Sequence, residues 1–161
     1  MSGQSLTFHA RDAEETRDFG TRLADLFAAG DLVVLIGDLG AGKTTLVQGL
    51  GEHLGVRGRI TSPTYIVSRV HRSLGGGPDL IHVDAYRVGD DLDMETIDLE
   101  TSLDSAVTVV EWGSGKVDHL SEDRFVIEIN FDDEDGRLIT VSATGSGTRD
   151  RLDTWLTATA N

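Results

Sequence analysis

The run Gly37-Asp38-Leu39-Gly40-Ala41-Gly42-Lys43-Thr44 narrows the possible folds more than any other stretch, because it fits G-x-x-x-x-G-K-[ST] at every position. Such a run needs a strand leading in and a helix leading out. Directly before it, Leu32-Val33-Val34-Leu35-Ile36 is a compact apolar segment bounded by Asp31 and Gly37, as a strand buried on both faces would be. Beyond it, Leu46, Val47, Leu50 and Leu54 mark one helical face, and Gly55 stands where a helix stops. Strand, glycine-rich loop and helix together cradle phosphate. Gly37, Gly40 and Gly42 let the backbone curl so that N–H groups point inward, and the helix N-terminus adds partial positive charge. In this pattern Asp38, Leu39, Gly40, Ala41 and Gly42 line the nucleotide, and Lys43 reaches its β- and γ-phosphates. Thr44 places a hydroxyl on Mg²⁺, and Thr45 adds a phosphate hydrogen bond.

A phosphate loop of this kind also needs a metal-side carboxylate at the end of a neighbouring apolar strand. Two acids qualify, and sequence does not rank them. Asp84 lies in Leu80-Ile81-His82-Val83-Asp84-Ala85-Tyr86-Arg87, where period-two alternation puts His82, Asp84 and Tyr86 on one face and Ile81, Val83 and Ala85 on the other. Glu111 ends the apolar run Val107-Thr108-Val109-Val110 and precedes Trp112, which is either core or a neighbour of the nucleotide. A third feature is Thr61-Ser62-Pro63-Thr64-Tyr65. Pro63 biases Ser62 away from helix, and the hydroxyls of Thr61, Ser62 and Thr64 crowd a loop before a strand, the place where GTPases carry a γ-phosphate-sensing switch. No Asn-Lys-x-Asp stretch is present, so ATP is favoured over GTP. Asp12 and the Gly136-Arg137 turn are further candidates for base contact; otherwise they are a helix cap and a hairpin tip.

The remaining elements follow from periodicity. Residues 4–9 read as a short strand, and Asp12-Ala13-Glu14-Glu15 has capping-box spacing ahead of a helix over about 12–29. Tyr65–Arg72 and Asp79–Tyr86 alternate as strands around a Gly75–Pro78 turn, and residues 88–106 form an acidic helical excursion with loops. Arg124–Phe131 and Arg137–Ala143 pair as a hairpin across residues 132–136, and Leu152, Trp155 and Leu156 give a final helix its apolar face. These elements predict an α/β fold, a P-loop NTPase-like three-layer domain whose mixed sheet includes an antiparallel C-terminal hairpin. With 161 residues, one domain is expected over 1–161.

Charge then limits the function. Residues 76–161 hold twenty acids against six bases, whereas residues 1–75 hold eight of each, so the net charge of −14 belongs entirely to the second half. Such a surface repels phosphate backbones and excludes a free-standing nucleic-acid binder that works by broad attraction. Arg57, Arg59, Arg69 and Arg72, with His71, form a candidate contact patch in the neutral half, from which any contact with an acidic partner surface is expected. The absence of Cys removes disulfides, thiolate zinc sites and cysteine nucleophiles. The longest apolar run is far short of the roughly 20 residues that span a bilayer, and the first residues lack a signal-peptide pattern. The expected location is the cytoplasm, and the expected state alone is a monomer.

Taken in order, the loop Gly-Asp-Leu-Gly-Ala-Gly-Lys-Thr-Thr, Ser62-Pro63-Thr64-Tyr65, His82-Val83-Asp84-Ala85-Tyr86-Arg87 and Val110-Glu111-Trp112-Gly113 closely resemble the TsaE (YjeE) family. These are small bacterial ATPases of tRNA threonylcarbamoyladenosine synthesis. The resemblance implies ATP with Mg²⁺ and docking on the TsaB–TsaD pair, whose TsaD subunit modifies adenosine 37 of tRNAs reading ANN codons. ATP hydrolysis would reset that complex, with tRNA held through the partners. It further implies that Lys43 holds phosphate, that Thr44 and Glu111 hold Mg²⁺, and that Asp84 orients the attacking or a metal-bound water. Thr61–Thr64 would form the mobile nucleotide-sensing segment, and Tyr86, Arg87 and Trp112 are grouped with it as further site candidates. Arg87 and the Arg57/Arg59 pair are the available arginines for phosphate charge, so turnover should be slow without partners. The tail after about Gly145 is variable ground, and the resemblance implies no role for it. Two rivals are a small-molecule kinase, for which residues 88–123 offer only Lys116 as a lid base, and a nucleotide-gated binding module.

Overall fold

The strand expected at 32–36 forms as β2 (Leu32–Gly37), the middle one of the seven strands that the described residues place in one sheet, ordered β1-β7-β6-β2-β5-β4-β3. A computed structural model describes residues 5–37, 42–56, 68–75, 77–84, 106–111, 124–132 and 136–159. Along the chain these give β1 (Leu6–Ala10), α1 (Ala13–Leu23), β2, α2 (Lys43–Leu54), β3 (Ser68–His71), β4 (Asp79–Asp84) and β5 (Ala106–Glu111). β6 (Arg124–Phe131), β7 (Arg137–Thr144) and α3 (Ser146–Thr159) follow. β2 runs parallel to β5 and β6, and β4 parallel to β5. The β3/β4, β6/β7 and β1/β7 pairs are antiparallel, so the sheet is mixed and includes the expected C-terminal hairpin.

Alternation assigns the two faces. Val33, Leu35, Val107, Val109, Phe125, Ile127, Ile139 and Val141 share one apolar cluster with the helix residues Phe19, Leu23, Leu46, Val47, Leu50, Leu152 and Trp155. On the opposite face Leu32, Val34, Ile81, Val83 and Val110 are buried as well, so β2 is covered on both sides, as its unbroken apolar run predicts. The helical excursion expected over 88–106 lies outside the described residues, as do Tyr65–Val67 and Ala85–Tyr86 of the two expected strands.

Helix α2 is set against α1 by two glycines. A Cβ on Gly20 would collide with the Leu46 carbonyl, and one on Gly49 with the Arg17 carbonyl, so the backbones touch where any other residue would hold them apart. That approach fixes the height of α2, and with it the loop's C-terminal edge, above the sheet.

Helix α1 departs from expectation at both ends. At its start the Asp12 carboxylate accepts the Glu15 N–H at 2.9 Å, as a cap should. Glu15 does not return the bond to Asp12, as a capping box requires; it accepts the Arg11 N–H at 2.7 Å and the Arg11 guanidinium as well. At its other end α1 stops at Leu23 rather than near 29. The N–H groups of Asp25 and Leu26 turn to the carbonyls of Arg22 and Leu23 three residues back, at 3.3 and 2.9 Å. Arg151 of α3 then claims the Leu26 carbonyl at 2.6 Å, and Asp31 claims the Ala28 N–H at 2.6 Å. Leu26 and Phe27 remain buried, but past the end of the helix.

Candidate nucleotide site

Gly42 caps α2 with φ of 107°, a left-handed conformation. A Cβ there would meet nothing closer than Thr16 Cγ2 at 3.6 Å, so the backbone angle, not crowding, requires glycine before Lys43. Lys43 opens the helix, and Thr44 and Thr45 follow half-buried in its first turn. Parallel pairing brings the ends of β4 and β5 to the same level of the sheet: Leu35 lies opposite Glu111 on one side, and Asp84 opposite Glu111 on the other. This is the carboxyl edge of the parallel strands, where α/β proteins hold ligands.

Glu111 is 6 % exposed at the last position of β5. Its two oxygens face different partners. Oε1 lies 3.8 Å from Lys43 Nζ, and Oε2 is hydrogen-bonded to Nε2 of His82, whose side chain is wholly buried. The structure therefore brings together Lys43 and Glu111, predicted from separate motifs, and aligns Asp84 with Glu111 in register. Alternation groups His82 with Asp84 and Tyr86 on a strand face whose polar character suggests a site, but it gives His82 no role of its own; the signal for one is a polar residue at an inward position between Leu80 and Asp84. Asp38, Leu39, Gly40 and Ala41 lie outside the described residues. So do Thr61, Ser62, Thr64, Tyr86, Arg87 and Trp112.

The residues present suit a Mg²⁺ that arrives with nucleotide. Mg²⁺ takes oxygen ligands and is usually held by one or two carboxylates together with substrate phosphates. The Thr44 hydroxyl and the Glu111 carboxylate are donors of that kind.

The arginine patch changes character. Arg57 and Arg59 lie outside the described residues; His71 is buried rather than presented, and exposed Arg72 pairs with Asp79 at 3.0 Å. The Ser73 N–H and that guanidinium hold the Asp79 carboxyl below its ordinary range. Asp12 spends its carboxylate on the α1 cap. At the hairpin tip, the Arg137 guanidinium lies over the Phe131 ring, 4.3 Å from its centroid.

Residues 10–139 match the family of the threonylcarbamoyl adenosine biosynthesis protein TsaE. The chain belongs to the TsaE family. It is 55 % identical over 145 residues to the tRNA threonylcarbamoyladenosine biosynthesis protein TsaE of Streptomyces coelicolor, covering 88 % of this chain and 95 % of that one. The Mycobacterium tuberculosis TsaE is 47 % identical over 116 residues, 68 % of this chain and 69 % of its own. Among solved structures, Bacillus subtilis YdiB superposes with a TM-score of 0.79 at 27 % identity, over 100 % of this chain and 99 % of that one. The family's role lies in tRNA threonylcarbamoyladenosine biosynthesis, which associates this chain with that machinery. Lys43, Asp84 and Glu111 fall inside the TsaE match, and α3 falls beyond it. Among the described residues, no helix is long and apolar enough to cross a membrane.

Proposed function

We propose that the protein binds ATP with Mg²⁺ at residues 37–45 and hydrolyses it. In this role it would act with TsaB–TsaD in threonylcarbamoylation of adenosine 37 of tRNAs reading ANN codons. The observation that carries this reading is the approach of Lys43 to Glu111, 3.8 Å apart where α2 meets the end of β5. A P-loop lysine and a strand-end carboxylate serve phosphate and metal respectively, and here they lie within ion-pair distance of each other. When bound, Mg²⁺ neutralises charge on the phosphate oxygens. The chain's own residues do the rest. Lys43 holds the β- and γ-phosphates, Thr44 and Glu111 offer oxygen to the metal, and Asp84 orients water at the adjacent strand end.

Hydrolysis on this reading resets the TsaB–TsaD complex for another round, and it is slow until the partners dock. The decisive test is Glu111→Gln in multiple-turnover tRNA modification with TsaB and TsaD. We expect the variant to bind ATP and the partners but to stall after one round. Continued cycling at the wild-type rate would instead make nucleotide a gate whose hydrolysis is incidental.

A further inference from the structure

We propose that His82 is a positioning residue for Glu111, fixing which carboxylate oxygen is presented to the nucleotide side; this rests on the ATP–Mg²⁺ reading above. His82 sits on β4 opposite Val109, one alternation short of the Asp84–Glu111 pair, so its side chain reaches Glu111 diagonally across β4 and β5. An ionised carboxylate only accepts hydrogen bonds, so Nε2 carries the proton and donates it to Oε2. That leaves Oε1 directed at Lys43. With one oxygen tethered, Glu111 cannot rotate to offer Lys43 or a metal the other.

Packing alone does not account for a histidine here. The neighbouring inward positions, Leu80, Val107 and Val109, are apolar and fully buried, and an apolar side chain at 82 would continue their surface. His82 instead buries an imidazole whose Nδ1 has no hydrogen-bond partner among the described residues. An orphaned buried acceptor is a net loss for folding, and what the ring gains is its bond to Glu111. Outer partners that orient a metal-side ligand commonly change metal affinity or activity by about 10–100-fold when removed.

The test uses His82→Leu, His82→Gln and His82→Asn in the full chain with TsaB and TsaD. ATPase rate is followed against Mg²⁺ and against ATP, and melting temperatures are taken alongside. The Gln amide nitrogen falls near the Nε2 position, whereas that of Asn falls near Nδ1. We expect His82→Leu to lower kcat by at least about tenfold and to raise the Mg²⁺ needed for half-maximal rate, with the KM for ATP within about twofold of wild type. His82→Gln should recover most of the loss and His82→Asn little. If His82→Leu does not fold, the Gln and Asn variants decide between the outcomes. Equal loss in Gln and Asn, recovery in Asn alone, or wild-type kcat and Mg²⁺ dependence in Leu would overturn the positioning role while leaving the ATPase reading intact. A wild-type protein that neither binds ATP by calorimetry nor hydrolyses it with its partners would overturn both.

Discussion

The two ends of β2 carry polar clusters built on opposite plans. Ahead of the strand, both oxygens of Asp31 receive the Arg151 guanidinium, at 2.6 and 2.8 Å, and Oδ2 also takes the Ala28 N–H at 2.6 Å. The same guanidinium reaches the Leu26 carbonyl at 2.6 Å and lies over the Phe125 ring, 5.5 Å from its centroid. This is a saturated fork, and it ties α3 to the start of the central strand. Beyond the strand, among the described residues, Glu111 is hydrogen-bonded on one oxygen, Lys43 stands 3.8 Å from the other, and His82 Nδ1 has no partner. Both clusters neutralise a buried carboxylate. Only the second keeps its cation beyond hydrogen-bonding distance, so that Lys43 can move to another anion without breaking an optimised bond.

If the contrast is right, the two ends separate cleanly on mutation. Lys43→Ala should have the largest effect, a loss of ATP affinity exceeding about a hundredfold, since charge-assisted contacts contribute about 1.5–3 kcal/mol each and the proposed role of Lys43 gives it two, to the β- and γ-phosphates. Its melting temperature should fall by less than that of Arg151→Ala, because Lys43 makes no hydrogen bond to Glu111 and His82 still holds the carboxylate. Unchanged affinity by calorimetry would sink the assignment of this loop.

Arg151→Ala should reverse the pattern. It strands the Asp31 carboxylate, whose side chain is 9 % exposed, and frees the Leu26 carbonyl, at a cost of about 2 kcal/mol. For a domain of this size that lowers the melting temperature by roughly 4–8 °C. ATP affinity, measured well below the new transition, should remain within about twofold of wild type. A variant that melts normally but binds ATP weakly would erase the distinction between the two ends.

The same contrast explains what sequence could reveal. The strand before the glycine-rich run and the helix after it are legible because each carries its own contiguous apolar pattern, and they form as β2 and α2. Glu111 and Asp84 are legible as acids that end short apolar runs, and parallel pairing does bring them into register. His82 was only half legible: alternation gives the face of a strand but not which neighbour, 29 residues away, the side chain meets. The end of α1 was hidden for a similar reason. Leu26 and Phe27 keep helical spacing and are buried, yet the group that takes the Leu26 carbonyl sits on Arg151, 125 residues further along. Local periodicity reports burial faithfully; it does not report which distant group claims a backbone carbonyl.

A third cluster tests the role of solvent, which neither end of β2 isolates. At the start of α1, the Glu15 carboxylate accepts the Arg11 N–H at 2.7 Å and the guanidinium at 2.8 Å, but the arginine side chain is 80 % exposed. The geometry is as complete as that of Asp31, without the burial. The Arg11 guanidinium and N–H pull the Glu15 carboxyl down from its ordinary 4.5 to about 2. A depressed carboxyl stabilises the fold fully above its ordinary value and loses that contribution as pH falls through the folded one. The window for Glu15 therefore lies between about 4.5 and about 2, and the contact is intact at neutral pH. Carbon-detected NMR titration should place the Glu15 midpoint near the bottom of that window and return it toward 4.5 in Arg11→Ala. Because water screens the pair, Glu15→Gln should shift the melting temperature at neutral pH by less than about 2 °C, well below the effect of Arg151→Ala. A shift as large as that of Arg151→Ala would mean that completeness of bonding, rather than burial, makes the Asp31 fork a structural tie.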